Sequence, residues 1–172
     1  KALKIANDFK EKNIKEKIKI NNIKEINKID LIYTLDQLNL KNLKNKINKK
    51  AKYLIVNGIT DEPFIYNEQM YLKNYSEEIL DTMDFLKKIL SIDNLFVTLK
   101  SIYQNNIESF LFLMGQYPEI HLLLFDDLYL LEKDYFLLEK LNIKKEDCII
   151  LKPKEIYEIY NILKYNKFVD EK

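Results

Sequence analysis

Residues 53–58, with the sequence YLIVNG, are a short apolar run followed by a turn-forming pair. A run of this length, rich in β-branched residues and closed by Asn-Gly, favours a buried strand. Strands that are apolar on both sides are typical of parallel sheets, which helices cover on their faces. This stretch therefore predicts the first strand of an α/β domain.

Similar apolar runs recur three times downstream, at residues 95–99, 120–125 and 148–151. Amphipathic segments lie between and after them, at residues 76–90, 106–114, 127–141 and 154–163. Strands that alternate with helices in a compact domain predict a mostly parallel sheet with helices on its faces. Ser76 is expected to cap the first of these helices, and Pro153 suits the first turn of the last.

The first 50 residues differ from the rest of the chain in charge. Residues 1–52 carry 15 Lys against 6 Asp and Glu, whereas residues 53–172 carry 13 Lys against 21 acidic residues. Apolar residues three and four positions apart predict two or three helices in the basic part. We therefore divide the chain into a basic helical N-terminal segment, residues 1–50, and an α/β domain, residues 51–172.

The basic segment suits three kinds of partner: nucleic acid, an anionic membrane surface, or the acidic body of its own chain. Every basic residue of the chain is a lysine, and aromatic residues are not interleaved with them in this segment. Because arginine and stacking aromatics are the usual nucleic-acid contacts, we do not expect nucleic acid to be the partner.

Composition excludes several classes of site. The chain has two glycines, Gly58 and Gly115, so it contains no Walker A loop and no GxGxxG fingerprint. Its one cysteine, Cys148, forms no internal disulfide and no cysteine-ligated zinc or iron–sulfur site, and we expect no bound metal. No run of eighteen apolar residues occurs, so we expect no transmembrane segment.

Ligands of open parallel sheets bind at the carboxyl ends of the strands. After the first strand come Asn57 and Gly58, and then the carboxylates Asp61 and Glu62. Such a turn can accept hydrogen bonds from a ribityl or ribose chain, hold a metal, or perform acid–base chemistry. It can equally be a polar turn in which Asn57 and Gly58 supply a left-handed conformation. Both interpretations stay open from spacing alone.

The other strand ends carry weaker signals. Asp126 and Asp127 follow the third strand and suit either a ligand pair or the cap of a helix. Too few residues separate them from Lys152 for the phosphoacceptor site of a receiver domain. His121, the only histidine, lies in an apolar run and is expected to be a buried, hydrogen-bonded imidazole. Tyrosines that suit either ligand stacking or core packing are Tyr66, Tyr71, Tyr75, Tyr157, Tyr160 and Tyr165.

Residues 52–65, with residues 70–72 and 76–80 after them, resemble the C subunit of the Rnf electron-transport complex (RnfC) and its relatives. That family is similar to the flavin-binding subunit of respiratory NADH dehydrogenase. In it a strand ends in Asn-Gly-Ala-Glu-Cys-Glu-Pro-Tyr, where this chain has Asn-Gly-Ile-Thr-Asp-Glu-Pro-Phe. Residues 96–107, 117–138 and 149–170 fit the family's later strands and helices in the same order.

The resemblance implies a flavin-domain-like fold and FMN as the cofactor. It implies that Asn57, Gly58 and Glu62 contact that cofactor and that electrons pass from reduced nicotinamide through flavin to iron–sulfur centres. It also implies partners among the other subunits of a membrane electron-transport complex and a cytoplasmic place at the inner face of the membrane. No residue of this chain is assigned a catalytic role.

Departures from the family pattern decide the expected function. Residues 32–47 correspond to the family's glycine-rich loop around the FMN phosphate, and they contain no glycine. The sequence also lacks the family's cysteine-cluster motifs. We therefore expect a diverged RnfC-like electron-transport domain with weak or no cofactor binding, which is not catalytic on its own. The alternative is a non-enzymatic protein-interaction or scaffold domain.

Overall fold

The structure, a computed structural model, describes residues 26–60, 66–126 and 133–164. Within these ranges it contains four strands and seven α-helices. In chain order they are α1 (Lys28–Gln37), α2 (Lys41–Ile47), β1 (Tyr53–Asn57), α3 (Tyr66–Asn74), α4 (Ser76–Leu90), β2 (Asn94–Lys100), α5 (Gln104–Met114), β3 (Ile120–Phe125), α6 (Asp134–Leu141), β4 (Cys148–Leu151) and α7 (Pro153–Lys164), with a single 3-10 turn at Lys145–Asp147 before β4.

The four strands form one sheet in the order β3-β2-β1-β4, and every neighbouring pair is parallel. Tyr53 of β1 lies opposite Asn94 of β2 on one side and opposite Cys148 of β4 on the other. The predicted α/β fold with a mostly parallel sheet is confirmed. Because all strands run the same way, their carboxyl ends meet at one edge, and Asn57 and Gly58 lie there.

The two faces of the sheet carry cores of different size. Leu54 and Val56 of β1 belong to the larger core, which includes buried side chains from α1 to α5 and from α7. Ile55 points to the other face and packs with Leu137 and Leu138 of α6. The alternation follows from the two-residue period of a strand. One face is therefore covered by many helices, and α6 is the helix that the described residues place on the other.

The described part of the basic segment packs with the α/β body. Side chains of α1 and α2 that are buried in the larger core are Leu31, Leu35, Leu43 and Ile47. Lys46 of α2 forms an ion pair with Glu155 of α7 at 2.8 Å. A lysine of this segment thus contacts an acidic residue of its own chain. Residues 1–25 lie outside the described residues, and the division at residue 50 stays a prediction.

Several helix boundaries differ from the predictions. Ser76 is the first residue of α4, whereas Tyr75 occupies the cap position and makes no side-chain hydrogen bond there. The helix predicted over residues 127–141 is described only from Asp134 onward, because residues 127–132 lie outside the described residues. Helix α3 was not predicted at all, because its apolar residues show little helical periodicity.

His121 is exposed to solvent, so the prediction of a buried imidazole is wrong. It lies on β3, one of the two outer strands of the described sheet, and its ring contacts the ring of Phe96 with centroids 5.9 Å apart. The apolar run around it indicates a strand correctly. What the run does not reveal is that this strand lies at the edge of the sheet, where one side chain can reach water.

Gly58 is required by a close approach, not by a left-handed conformation. Neither Gly58 nor Asn57 has a positive φ, so the left-handed-turn interpretation is wrong. A Cβ atom on Gly58 would lie 2.7 Å from Leu72 Cδ1, 2.8 Å from the carbonyl oxygen of Thr98 and 2.9 Å from Leu99 Cδ2. Side chains of α3 and β2 therefore fill the space that a side chain at this position would need.

We predict that Gly58→Ala destabilises the protein by about 1–3 kcal/mol, because the added methyl group forces Leu72 and the backbone of β2 to move. Gly115→Ala is the matched control, since a Cβ there meets nothing within 4 Å. It should leave stability unchanged or raise it by up to about 1 kcal/mol. Urea unfolding of both variants measures the difference, and equal midpoints would contradict the packing role of Gly58.

Candidate functional site

The carboxyl edge of the sheet collects buried polar side chains where β1 and β2 end. The members are Asn57 (1% exposed), Thr60 (6%), Thr98 (0%), Lys100 (6%) and Asn106 (5%). Burying polar groups is unfavourable unless hydrogen bonds replace those to water. Such a cluster is therefore organised by specific contacts, which fix the positions of the chain that follows each strand.

The Asn57 side chain ties the end of β1 to β2. Its Oδ1 atom accepts a hydrogen bond from the hydroxyl of Thr98 at 3.1 Å and another from the backbone N–H of Ile59 at 3.1 Å. The backbone N–H of Gly58 donates to the carbonyl oxygen of Thr98 at 2.9 Å. These three bonds set the direction in which the chain leaves β1 toward residues 61–65.

A second group of contacts ties α3 and α5 to the same turn. Gln69 of α3 donates through Nε2 to the carbonyl oxygen of Gly58 at 2.7 Å. Asn106 of α5 donates through Nδ2 to Gln69 Oε1 at 2.5 Å. The turn after β1 is thus held by side chains from three neighbouring elements, a strand and two helices. An arrangement of this kind is rigid, because each polar atom fixes the next.

Lys100, the last residue of β2, brings a positive charge to this edge although it is only 6% exposed. Beside it, the hydroxyl of Ser101 donates to Asp126 Oδ1 at 3.3 Å, and the backbone N–H of Ser101 donates to the carbonyl oxygen of Phe125 at 2.7 Å. Lys100 follows the apolar run at residues 95–99, so the sequence predicts it at a strand end, where ligands of parallel sheets bind.

The structure describes some of the predicted site residues, whereas others lie outside the described ranges. Asn57 and Gly58 form the base of the turn, with their polar atoms engaged by β2 and α3. Glu62 and Asp61 lie outside the described residues. Asp126 is exposed at the end of β3, and Asp127 also lies outside the described residues. The structure therefore brings Asn57, Gly58 and Asp126 to one edge, as the parallel topology predicts.

The residues present fit one part of FMN better than another. The ribityl chain and the polar side of the ring bind through hydrogen bonds, and the carboxylates Asp61 and Glu62 that follow the turn are acceptors of the right kind. A phosphate is usually held by backbone N–H groups of a glycine-rich turn. Here the Gly58 N–H already donates to Thr98, and Leu72 and Leu99 fill the space beside its Cα. Gly115, the other glycine, follows α5.

Four of the six tyrosines noted in the sequence contact one another through their rings. Tyr157 stacks on Tyr75, with ring centroids 4.0 Å apart, and on Tyr160 at 5.8 Å, whereas Tyr71 packs at a tilt against Tyr157 at 5.4 Å. They join the start of α4 and the end of α3 to α7. Their side chains therefore pack helices together, as the core-packing interpretation proposed.

Two further observations concern absent features. No group of three or more His, Cys, Asp or Glu side chains within residues 26–60, 66–126 and 133–164 is arranged to hold a metal ion. None of the helices described here is long and apolar enough to cross a membrane.

The fold and the polar carboxyl edge define a flavin-domain-like α/β module. Residues 39–149 match the family model of the Nuo51 FMN-binding domain, which is more than half of the chain, so the protein belongs to this family. The predicted relation to the flavin-binding subunit of NADH dehydrogenase is thereby confirmed. No curated protein matches the chain by sequence.

Solved structures of a NAD⁺-reducing [NiFe]-hydrogenase have a similar fold. The H₂-reduced state superposes with a TM-score of 0.59 at 15% identity and covers 70% of this chain and 27% of its own. The air-oxidised state gives 0.57 at 14% identity, with 70% and 26% covered. The chain thus spans about a quarter of the length of those chains.

We predict that Thr98→Val destabilises the protein by about 1–2 kcal/mol, because it removes the hydroxyl that donates to buried Asn57 Oδ1. Thr34→Val is the matched control. Thr34 is fully buried, and its Oγ1 has no hydrogen-bond partner among the described residues, so valine should be neutral or stabilising. Equilibrium urea unfolding at one pH separates the two variants.

The same hydrogen bond predicts coupling between its two partners. In an Asn57→Ala background, Thr98→Val should cost at least about 0.5 kcal/mol less than in the wild type, since the acceptor is already gone. Additive costs in the double-mutant cycle would show that the contact does not hold β1 to β2.

Proposed function

We propose that this chain is a diverged RnfC-like domain of an electron-transport complex, with weak or no binding of FMN. Its membership of the Nuo51 FMN-binding domain family supports a flavoprotein-like role. The motif at residues 52–65, where Asn57, Gly58 and Glu62 keep the family's pattern, favours the RnfC branch of that family.

The observation that carries the weak-binding part of the proposal is the environment of Gly58. It is the one glycine at the carboxyl edge, and its N–H and its Cα surface are both occupied by β2 and α3. A backbone cradle for phosphate needs N–H groups that face the ligand, with no side chains in between. FMN would therefore be held mainly through its ribityl chain and ring.

In this proposal each residue has a distinct part. FMN, when bound, accepts a hydride from reduced nicotinamide and releases its electrons singly. Asn57 and Gly58 position the turn after β1, and Glu62 accepts hydrogen bonds from the ribityl hydroxyl groups. Lys100 contributes positive charge at the same edge, which favours an anionic form of the ring over the neutral one.

The proposal about partners comes from the RnfC resemblance of residues 52–65. We propose that other subunits of a membrane electron-transport complex, at its cytoplasmic side, supply the route by which electrons enter and leave. The proposed place in such a complex rests on the RnfC resemblance.

Titration of the purified chain with FMN tests the cofactor proposal. We expect a dissociation constant weaker than about 100 µM, because the phosphate lacks its usual cradle. Glu62→Gln should weaken binding about threefold to tenfold, since a charged acceptor for hydroxyl groups is lost. Flavin fluorescence and the thermal shift of the protein are the measurements.

Glu108→Gln is the matched control, because Glu108 lies exposed on α5. It should leave FMN affinity unchanged. A dissociation constant below about 1 µM would contradict the diverged status, and equal effects of the two glutamate variants would contradict the role of Glu62.

A second candidate function is a non-enzymatic docking domain. Phe112 is 85% exposed and the adjacent Leu111 is 59% exposed, both on α5. A partner that covers these two side chains would remove apolar surface from water, which is favourable. A chain that responds to neither FMN nor NADH in the thermal-shift experiment would favour this function over electron transfer.

A further inference from the structure

A cavity lies beside the outer edge of β4, where α2 and α6 approach that strand. Its volume is about 270 Å³. Three lysines line it, Lys46, Lys49 and Lys145, together with the carboxylate Asp134. The apolar part of the lining includes Leu138 and Cys148. The volume lies just below the usual range of ligand pockets and suits a small molecule, not a dinucleotide.

The inner wall of the cavity is apolar and well packed. Leu138 is 4% exposed and Cys148 is 3% exposed, and both belong to the core between the sheet and α6. Burial, and then the negative charge of Asp134, raise the pKa of the Cys148 thiol to about 12. The thiol is therefore protonated at neutral pH and acts as part of an apolar surface.

The rim of the cavity is cationic. Lys46 is held by Glu155 at 2.8 Å. Lys49 and Lys145 are therefore the ammonium groups that an entering anion would meet. Since Glu155 neutralises Lys46, the remaining charges of the lining are two lysines, Lys49 and Lys145, against one carboxylate, Asp134, and this balance favours an anion.

Asp134 adds a requirement of its own. Its Oδ1 atom is shielded from solvent and has no hydrogen-bond donor among the described residues. A buried carboxylate oxygen without a donor is unfavourable, and few such atoms occur in native structures. A ligand with an N–H or O–H group next to this atom would satisfy it.

We propose that this cavity binds a small organic anion with an apolar body and a hydrogen-bond donor. Its anionic group lies at Lys49 and Lys145, its body against Leu138, and its donor at Asp134 Oδ1. The cavity is distinct from the FMN site proposed above. Cys148 is the first residue of β4 and lies opposite Tyr53, the first residue of β1, whereas Asn57 is the last residue of β1. The Cys148 wall of the cavity therefore lies at the amino ends of the strands, and the proposed FMN site lies at their carboxyl ends. The proposal therefore does not depend on flavin binding.

Three small probes separate the parts of this proposal when they are titrated into the ¹⁵N-labelled full chain. 4-Aminobenzoate carries the anion, the ring and the donor; benzoate lacks the donor; aniline lacks the anion. We expect 4-aminobenzoate to shift the amide resonances of residues 134–138 and 145–150. It should bind at least about tenfold more tightly than benzoate, as one hydrogen bond to a charged group provides, and at least about tenfold more tightly than aniline.

Variants assign the contacts. Lys49→Met with Lys145→Met should weaken 4-aminobenzoate binding about tenfold, and Asp134→Asn should reduce its preference over benzoate to about twofold or less. Lys140→Met is the matched control, because Lys140 is exposed on α6 and does not line the cavity. It should change neither affinity. Equal effects of the Lys140 and Lys49/Lys145 variants would overturn the assignment of the anion to this rim.

Cys148 supplies a second readout, because it is the only cysteine of the chain. Saturating 4-aminobenzoate should slow the reaction of the thiol with an aromatic disulfide reagent about fivefold or more, since the probe covers the route to the sulfur. Shifts confined to other parts of the molecule, or an unchanged labelling rate at saturation, would overturn the proposal. Unfolded variants are recognised independently by their fast thiol labelling.

Discussion

The junction of β1 and β2 at their carboxyl ends is the contact on which the rest of the structure depends. Asn57 Oδ1 accepts from Thr98, the Gly58 N–H donates to the Thr98 carbonyl, and Leu72 and Leu99 pack against the Gly58 Cα. Gly58 thus makes both a polar contact and apolar contacts at this junction. A glycine at position 58 lets α3 approach the sheet, and that approach positions Gln69 to hold the turn.

The two faces of the sheet differ in what they pack against: one borders the larger apolar core, and the other borders α6 beside a cationic cavity. One face, which six helices cover within the described ranges, forms the larger core and provides most of the buried apolar surface seen there. The opposite face is covered by α6 in the described residues and leaves room for a cationic cavity beside β4. Polar groups at the carboxyl edge stay buried because strands, helices and side-chain hydrogen bonds enclose them together.

Much of this architecture follows from local patterns. Short apolar runs separated by amphipathic segments predicted all four strands and their parallel arrangement, since a strand–helix–strand unit has few other ways to bury its apolar side chains. Asn57 and Gly58 were identified as a special position by residue type. The expected reason was a left-handed turn, whereas the structure shows a close approach of Leu72 to Gly58. Leu72 belongs to α3, a helix that the sequence does not indicate because its helical periodicity is weak.

The sequence by itself determined the order of strands and helices, the position of the carboxylate-bearing turn and the lack of a glycine-rich loop. These are properties of neighbouring residues, and side-chain periodicity and backbone freedom report them directly. Only the tertiary structure decided that His121 faces solvent, that Lys100 is buried and that Lys49, Asp134 and Cys148 share one cavity. Those relations depend on which strand lies at the edge of the sheet and which helix covers it, and residues far apart in the chain set both.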